Sequence, residues 1–170
     1  MPTPLRALSI AADPANPGVI LAIDYGKKRL GLALSDEFGI TSRPFATWTR
    51  INRRRDLARL RELVGKEKIR RIIVGLPLHL NGAPSEMSEE ARGFGLRVEK
   101  AIGIPVEMVD ERLSSWEALE TIARRDSGRR FRSAAGRNES KKVNAIDDVA
   151  AAIILRDYLD RARTRAGARA

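Results

Sequence analysis

Val19-Ile20-Leu21-Ala22-Ile23-Asp24-Tyr25-Gly26-Lys27-Lys28-Arg29-Leu30-Gly31-Leu32-Ala33-Leu34-Ser35 is the stretch on which the fold turns. Val19 to Asp24 is apolar until its last residue and predicts a strand that closes on an acid. Leu30 to Ser35 predicts a second strand. Tyr25 to Arg29 between them is short enough for a hairpin, so the two strands are expected to be antiparallel.

The pattern continues outward in both directions. Residues 1–17 are dominated by Pro and Ala without a period, and read as a flexible leader. Phe45 to Thr49 predicts a third strand, rich in aromatic and β-branched residues. Leu57, Leu60, Leu63 and Val64 recur at helical spacing over Arg53 to Gly65, with Gly65 placed to end the helix. Ile69 to Gly75 is a fourth strand. Ser85 caps a helix whose first turn holds Glu86, Glu89 and Glu90, acids favoured there by the helix dipole. Its apolar stripe is Met87, Ala91, Phe94, Val98 and Ala101. Ile104 to Val109 is a fifth strand, and Ser114 with Glu117 forms a capping box for a helix through Arg125. Residues 126–143 show no apolar period and predict a long loop. A last helix spans about Asn144 to Arg161, and 162–170 form a basic tail.

The order βββαβαβα, followed by a loop and a C-terminal helix, predicts an α/β protein. Its sheet is mixed and five-stranded, with an antiparallel leading half, parallel crossovers after it and helices on both faces. One domain over residues 18–161 suits the length, and a chain of 170 residues can bury a sizeable core without staples.

Composition narrows the chemistry. There is no Cys, which removes disulfide scaffolds, Cys-based zinc sites, iron–sulfur clusters and thiol nucleophiles. The single His79 leaves no room for a histidine-rich metal centre. The net charge of +10 suits a polyanion, nucleic acid before acidic membrane. That charge is unevenly spread: residues 50–71 carry +7 and 124–142 carry +6, whereas 81–123 carry −5. The N-terminus has no signal-peptide pattern and no run approaches a membrane span, so a cytoplasmic protein without a membrane role is expected.

Acids interrupt apolar elements at three separated places: Asp24 after the first strand, Asp110 and Glu111 after the fifth, and Asp147 and Asp148 before Val149 to Leu155. In open α/β sheets, function collects beyond the C-terminal ends of parallel strands. Carboxylates converging there repel one another unless cations sit between them. Hard oxygen donors of this kind hold the two Mg²⁺ or Mn²⁺ ions of phosphodiester hydrolysis, which needs neither His nor Cys. Each acid also has an ordinary explanation, as a turn former or as a helix-dipole partner in a first turn. Three segments converging by chance is the less economical account.

Four segments carry a resemblance. Ile23-Asp24-Tyr25-Gly26-Lys27-Lys28-Arg29-Leu30-Gly31 followed by Ser35-Asp36 resembles the opening motif of the RuvX/YqgF family. Val74-Gly75-Leu76-Pro77-Leu78 with Asn81-Gly82 is similar to its second motif, and Asp110-Glu111-Arg112-Leu113-Ser114-Ser115 to its third. Ile146-Asp147, followed by Ala150-Ala151 and Ile153-Ile154-Leu155, resembles its fourth. The match covers about residues 18–161 in order and spacing.

The resemblance implies an RNase H-like fold and a divalent-metal-dependent endonuclease acting on structured nucleic acid. The expected role is trimming the 5′ end of the pre-16S ribosomal RNA. It selects Asp24, Glu111 and Asp147 as catalytic and metal-binding carboxylates, with Asp148 as a further candidate ligand. Lys27, Lys28 and Arg29 at the hairpin, Arg112, and Arg129, Arg130, Arg132, Lys141 and Lys142 in the basic loop are the candidate nucleic-acid contacts. Gly26 and Gly31 are expected to tighten the hairpin and admit a phosphate. Alternatives are a Holliday junction resolvase acting on four-way DNA, and a non-catalytic RNA-binding ribosome-assembly factor. Partners would be pre-rRNA or branched DNA, and ribosomal particles, with the chain a monomer or homodimer. A sugar-kinase or actin-like ATPase reading is disfavoured, because such enzymes need two domains of this kind.

Overall fold

The computed structural model describes residues 17–79, 81–110 and 139–167, with backbone alone over 139–146 and 166–167. Its elements are β1 (Val19–Tyr25), β2 (Arg29–Ser35), β3 (Ser42–Thr49), α1 (Arg53–Lys66), β4 (Ile69–Leu76), α2 (Glu86–Ile102), β5 (Val106–Asp110) and α3 (Glu139–Gly167). The helix predicted through Arg125 and most of the loop at 126–143 lie outside the described residues.

The strands form one sheet in the order β3-β2-β1-β4-β5. β1 pairs antiparallel with β2, and β2 with β3, while β1–β4 and β4–β5 are parallel. The mixed sheet expected from the sequence is therefore present. β1 is central, whereas β5 runs parallel to it at the sheet margin with β4 between them. At ~4.8 Å per strand step, the ends of β1 and β5 are roughly 10 Å apart.

Side-chain alternation assigns the two faces. Leu21, Ile23 and Tyr25 of β1 and Leu30, Leu32 and Leu34 of β2 pack with Leu60 and Leu63 of α1 and with Ala91, Phe94 and Val98 of α2. The opposite face carries Ile20, Ala22, Ala33 and Ile73, and meets Ala151, Ile154, Leu155 and Leu159 of α3. Every second residue of β2 is thus large toward α1 and α2, and small toward α3. Small residues on both sides of that contact let the α3 backbone come close to the sheet.

β3 begins at Ser42 and not Phe45, β5 begins at Val106 and not Ile104, and three helix boundaries differ from the sequence reading as well. α1 continues through Gly65, and the left-handed conformation falls instead on Lys68, at φ 53°. Gly65 meets nothing on its Cβ side, so it neither breaks the helix nor packs. α3 starts at Glu139, inside the predicted loop, and continues through the predicted tail to Gly167. At that C-terminal end Arg163 pairs with Asp160 at 3.2 Å and reaches the Ile40 carbonyl at 2.9 Å. These contacts from outside the apolar period hold turns that the period alone does not demand. Ser85 caps α2 as expected; the structure adds that Ser88 completes a reciprocal capping box and that Gly103 takes the left-handed cap at φ 81°.

Candidate active site

Asp24 is the penultimate residue of β1, and by alternation it belongs to the α3 face. Across the hairpin ladder its partner is Gly31. A Cβ on Gly31 would collide with the backbone carbonyl of Asp147. Gly31 stands in β2 and so does not serve the turn, as the sequence reading expected it to. It lets α3 lie directly on β2, and so sets Asp147 beside Asp24. Gly26 is the turn residue: its N–H donates to the Arg29 carbonyl at 2.9 Å, and a Cβ there would stand 2.7 Å from that oxygen.

The two carboxylates feel each other. Burial, reinforced by the charge of Asp147, pushes the Asp24 carboxyl up from its ordinary 3.8 to about 6. Arg29 Nε stands 2.8 Å from Asp147 Oδ2. That oxygen is buried and, among the described residues, accepts no well-directed hydrogen bond, so the pair is an ionic contact alone. A cleft of about 300 Å³ opens here, lined by Asp24, Gly26, Lys27, Lys28, Arg29, Gly31, Met87 and Asp147.

Asp147 and Asp148 lie about two turns inside α3, which starts at Glu139. The first-turn dipole explanation for these acids therefore fails, because that field fades within a turn. Asp148 is partly buried.

The hairpin cations are not equivalent. Lys27 Nζ is held by Glu86 at 3.1 Å and Glu90 at 3.2 Å, both on the acidic first turns of α2. Those bonds hold its ammonium above the usual lysine range. Arg29 is engaged by Asp147. Lys28 is exposed, and its side chain has no partner among the described residues.

Glu111 follows Asp110 at the end of β5, but Glu111, Arg112, Arg129, Arg130 and Arg132 lie outside the described residues, as do the side chains of Lys141 and Lys142. Among the described residues no three acids form a metal cluster. The Asp24–Asp147 pair nevertheless suits a hard divalent cation: its donors are carboxylate oxygens, one with a raised pKa and one buried without a hydrogen bond.

Arg50 escaped the sequence reading. Its Nη1 donates to the Gly26 carbonyl at 3.0 Å, and its backbone N–H to the Lys28 carbonyl at 2.9 Å. Its Nε meets Asp56 Oδ2 at 3.1 Å, and the guanidinium lies 4.9 Å from the Tyr25 ring centroid. Asp56 is 3% exposed. The available signal was an acid on the apolar stripe of α1, four residues before Leu60. His79 is an exposed loop residue.

The RuvX family, described as "Holliday junction resolvase", matches residues 18–161. The chain belongs to the RuvX family. A Koribacter versatilis (strain Ellin345) protein named "Putative pre-16S rRNA nuclease" is 42% identical over 144 residues, covering 85% of this chain and 88% of the relative. A protein of the same name from Anaeromyxobacter dehalogenans (strain 2CP-C) is 40% identical over 141 residues, covering 83% and 96%. Among solved structures, Thermus thermophilus RuvC in complex with a Holliday junction substrate superposes with a TM-score of 0.51. The two are 19% identical, over 85% of this chain and 96% of that one. At that identity the likeness establishes the RNase H-like fold.

RuvX membership makes the chain a nuclease, with nucleic acid as its partner. Nucleases of this fold are generally divalent-metal dependent. No helix among the described residues is long and apolar enough to cross a membrane.

Proposed function

We propose that this RuvX chain is an endonuclease dependent on Mg²⁺ or Mn²⁺ that matures the 5′ end of pre-16S ribosomal RNA in the cytoplasm, on free precursor or on ribosomal particles. The observation that supports the reading is the forced juxtaposition of Asp24 and Asp147, two carboxylates whose burial and proximity cost the folded chain free energy. Asp24, Asp147 and Glu111 are the proposed ligands of a two-metal site, with Asp148 as a further candidate. Bound metal supplies water activation and charge stabilisation at the scissile phosphodiester.

The chain's own groups do the rest. β1 and α3 hold the carboxylates on separate rigid elements. Arg29 keeps Asp147 oriented and places a guanidinium at the cleft. Lys28 offers a free ammonium to a phosphate, and Arg112, Arg129, Arg130, Arg132, Lys141 and Lys142 are proposed contacts for flanking strands.

A second reading, resolution of four-way DNA junctions, is favoured by the family's description and by the RuvC-like fold. It requires a homodimer making paired nicks, whereas trimming is within reach of a monomer. The deciding experiment compares Mn²⁺-dependent cleavage of a pre-16S 5′ fragment with that of a synthetic junction, alongside native mass. The primary reading expects RNA cleavage at a defined 5′ position, abolished by EDTA and by Asp24→Asn. Junction cutting by a dimer, with the RNA left intact, would replace it.

A further inference from the structure

Beyond the metal cleft, α1 begins with Arg53, Arg54 and Arg55, all exposed. Among the described residues none of the three side chains has a hydrogen bond or an ion pair. Their helix position is unfavourable in itself. Asn52 caps the helix, so the three arginines occupy the first turn, where the helix dipole disfavours cations. The one acid of that turn, Asp56, is buried and engaged with Arg50. Among the described residues no acid offsets the placement of three guanidinium groups there.

The location is fixed by hydrogen bonds. Arg50 ties the segment before α1 to Gly26 and Lys28 of the hairpin, at 3.0 and 2.9 Å. Thr49 pairs with Arg29 across β2 and β3. Arg53 is three residues from Arg50 and so, at ~3.3–3.6 Å per residue, starts within roughly 10 Å of it. The three arginines therefore stand at the same end of the sheet as Asp24, beyond Lys28. Ile51, 57% exposed, lies within the same stretch and offers an apolar surface to a sugar or base.

We propose that Lys28, Arg53, Arg54 and Arg55 form a rigid basic ridge that binds the phosphates of a nucleic-acid strand running past the cleft. The ridge rests on the nuclease reading and identifies where the substrate's flank is held. Because Lys27 and Arg29 are engaged by acids, the ridge is the main set of free cations near the described part of the site. Arginine suits it, since its planar fork pairs with phosphate oxygens in a bidentate way.

The test is the triple variant Arg53→Gln/Arg54→Gln/Arg55→Gln against Lys66→Gln/Lys68→Gln/Arg70→Gln, which removes the same charge at the far end of the sheet. Binding of labelled single-stranded RNA and of a four-way DNA junction is followed by anisotropy across a salt series without divalent metal. The ridge variant should weaken binding by about tenfold or more at moderate salt, and lower the slope of log K against log salt by about 2 on single strands. The far-end variant should change neither. Melting temperature provides the second readout: removing cations from a helix N-terminus should leave it equal or higher, so lost binding cannot be ascribed to lost fold. Arg54→Gln alone should lower the slope by about 0.7. Equal losses in both triple variants, or in neither, would overturn the ridge. If the unmodified chain still cuts with Mn²⁺, the nuclease reading survives that result. An unmodified chain that neither binds nor cuts would overturn both.

Discussion

The backbone of Asp147 occupies the space into which a Cβ on Gly31 would project. Gly31 is also the ladder partner of Asp24, so one missing methyl group places a carboxylate of α3 next to a carboxylate of β1.

Gly31→Ala should therefore act on the site and not on the hairpin turn. The methyl group must push α3 off the sheet or distort β2, a cost of about 1–3 kcal/mol or more. The expected result is a lower melting temperature together with loss of cleavage, while Gly65→Ala, at a position with open space, leaves activity intact. Unimpaired cleavage by Gly31→Ala would mean that α3 need not lie this close.

Asp24→Asn should stabilise the metal-free protein. The Asp24 carboxyl is raised to about 6, so the native state holds its proton more tightly than the unfolded chain does. The penalty is absent below the unfolded value of 3.8, grows as pH rises, and is complete above about 6. A rise from 3.8 to about 6 corresponds to about 3 kcal/mol, and partial exposure of the group lowers this to about 1–3 kcal/mol. Urea denaturation should show the variant more stable than the unmodified chain above about pH 6, and equal to it below about pH 4. A variant that is no more stable at high pH would remove the evidence that burial and the Asp147 charge disfavour ionised Asp24.

Divalent metal should reverse that relation. A cation bound between Asp24 and Asp147 competes with the Asp24 proton, so Mn²⁺ affinity should rise with pH and level off above about 6. Saturating metal at about 100 times Kd should add about 2.7 kcal/mol to the unmodified chain, and EDTA should remove it. Thermal shift measured with Asp24→Asn in parallel checks this. An equal shift in the variant would place the metal elsewhere.

Arg50 and Asp56 should be strongly coupled. Their side chains are 19% and 4% exposed, so removing one partner leaves a largely buried charge alone, at a cost of about 3–5 kcal/mol. Arg50→Met and Asp56→Leu are each expected to be costly, and the double variant much less than the sum. Arg50→Met should also loosen the Gly26–Arg29 turn, which amide exchange at Gly26 would report. Additive losses in a double-mutant cycle would show that the pair is not a unit.

Local structure was largely legible in the chain. The alternation Leu30-Gly31-Leu32-Ala33-Leu34 has period two, and the Leu57, Leu60, Leu63 stripe has helical period. Both express the geometry of a single element meeting a buried face. Where that logic weakens, the boundaries shifted: both ends of α3 lie outside the apolar period, and its C-terminal end is held by a contact made elsewhere, from Arg163 to Ile40. Arg50 was illegible for a related reason. Among the many basic residues of 50–71 it looks like one more solvated cation, and only the buried Asp56 distinguishes it.

What the sequence determined by itself, among the described residues, was the identity and order of the strands and helices, together with the nomination of Asp24, the Asp110–Glu111 pair and the Asp147–Asp148 pair. These follow from short-range periodicity and from residue chemistry, whereas the family resemblance of the four motifs singled out Glu111 and Asp147 within their pairs. Only the tertiary structure decided that Asp147 lies against Gly31, that Lys27 and Arg29 are occupied by acids, and that the side chains of Lys28, Arg53, Arg54 and Arg55 have no partner among the described residues. Those facts depend on segments far apart in the chain, 59 residues in the case of Lys27 and Glu86. A charge pattern along a chain cannot say which opposite charge the fold will bring beside it.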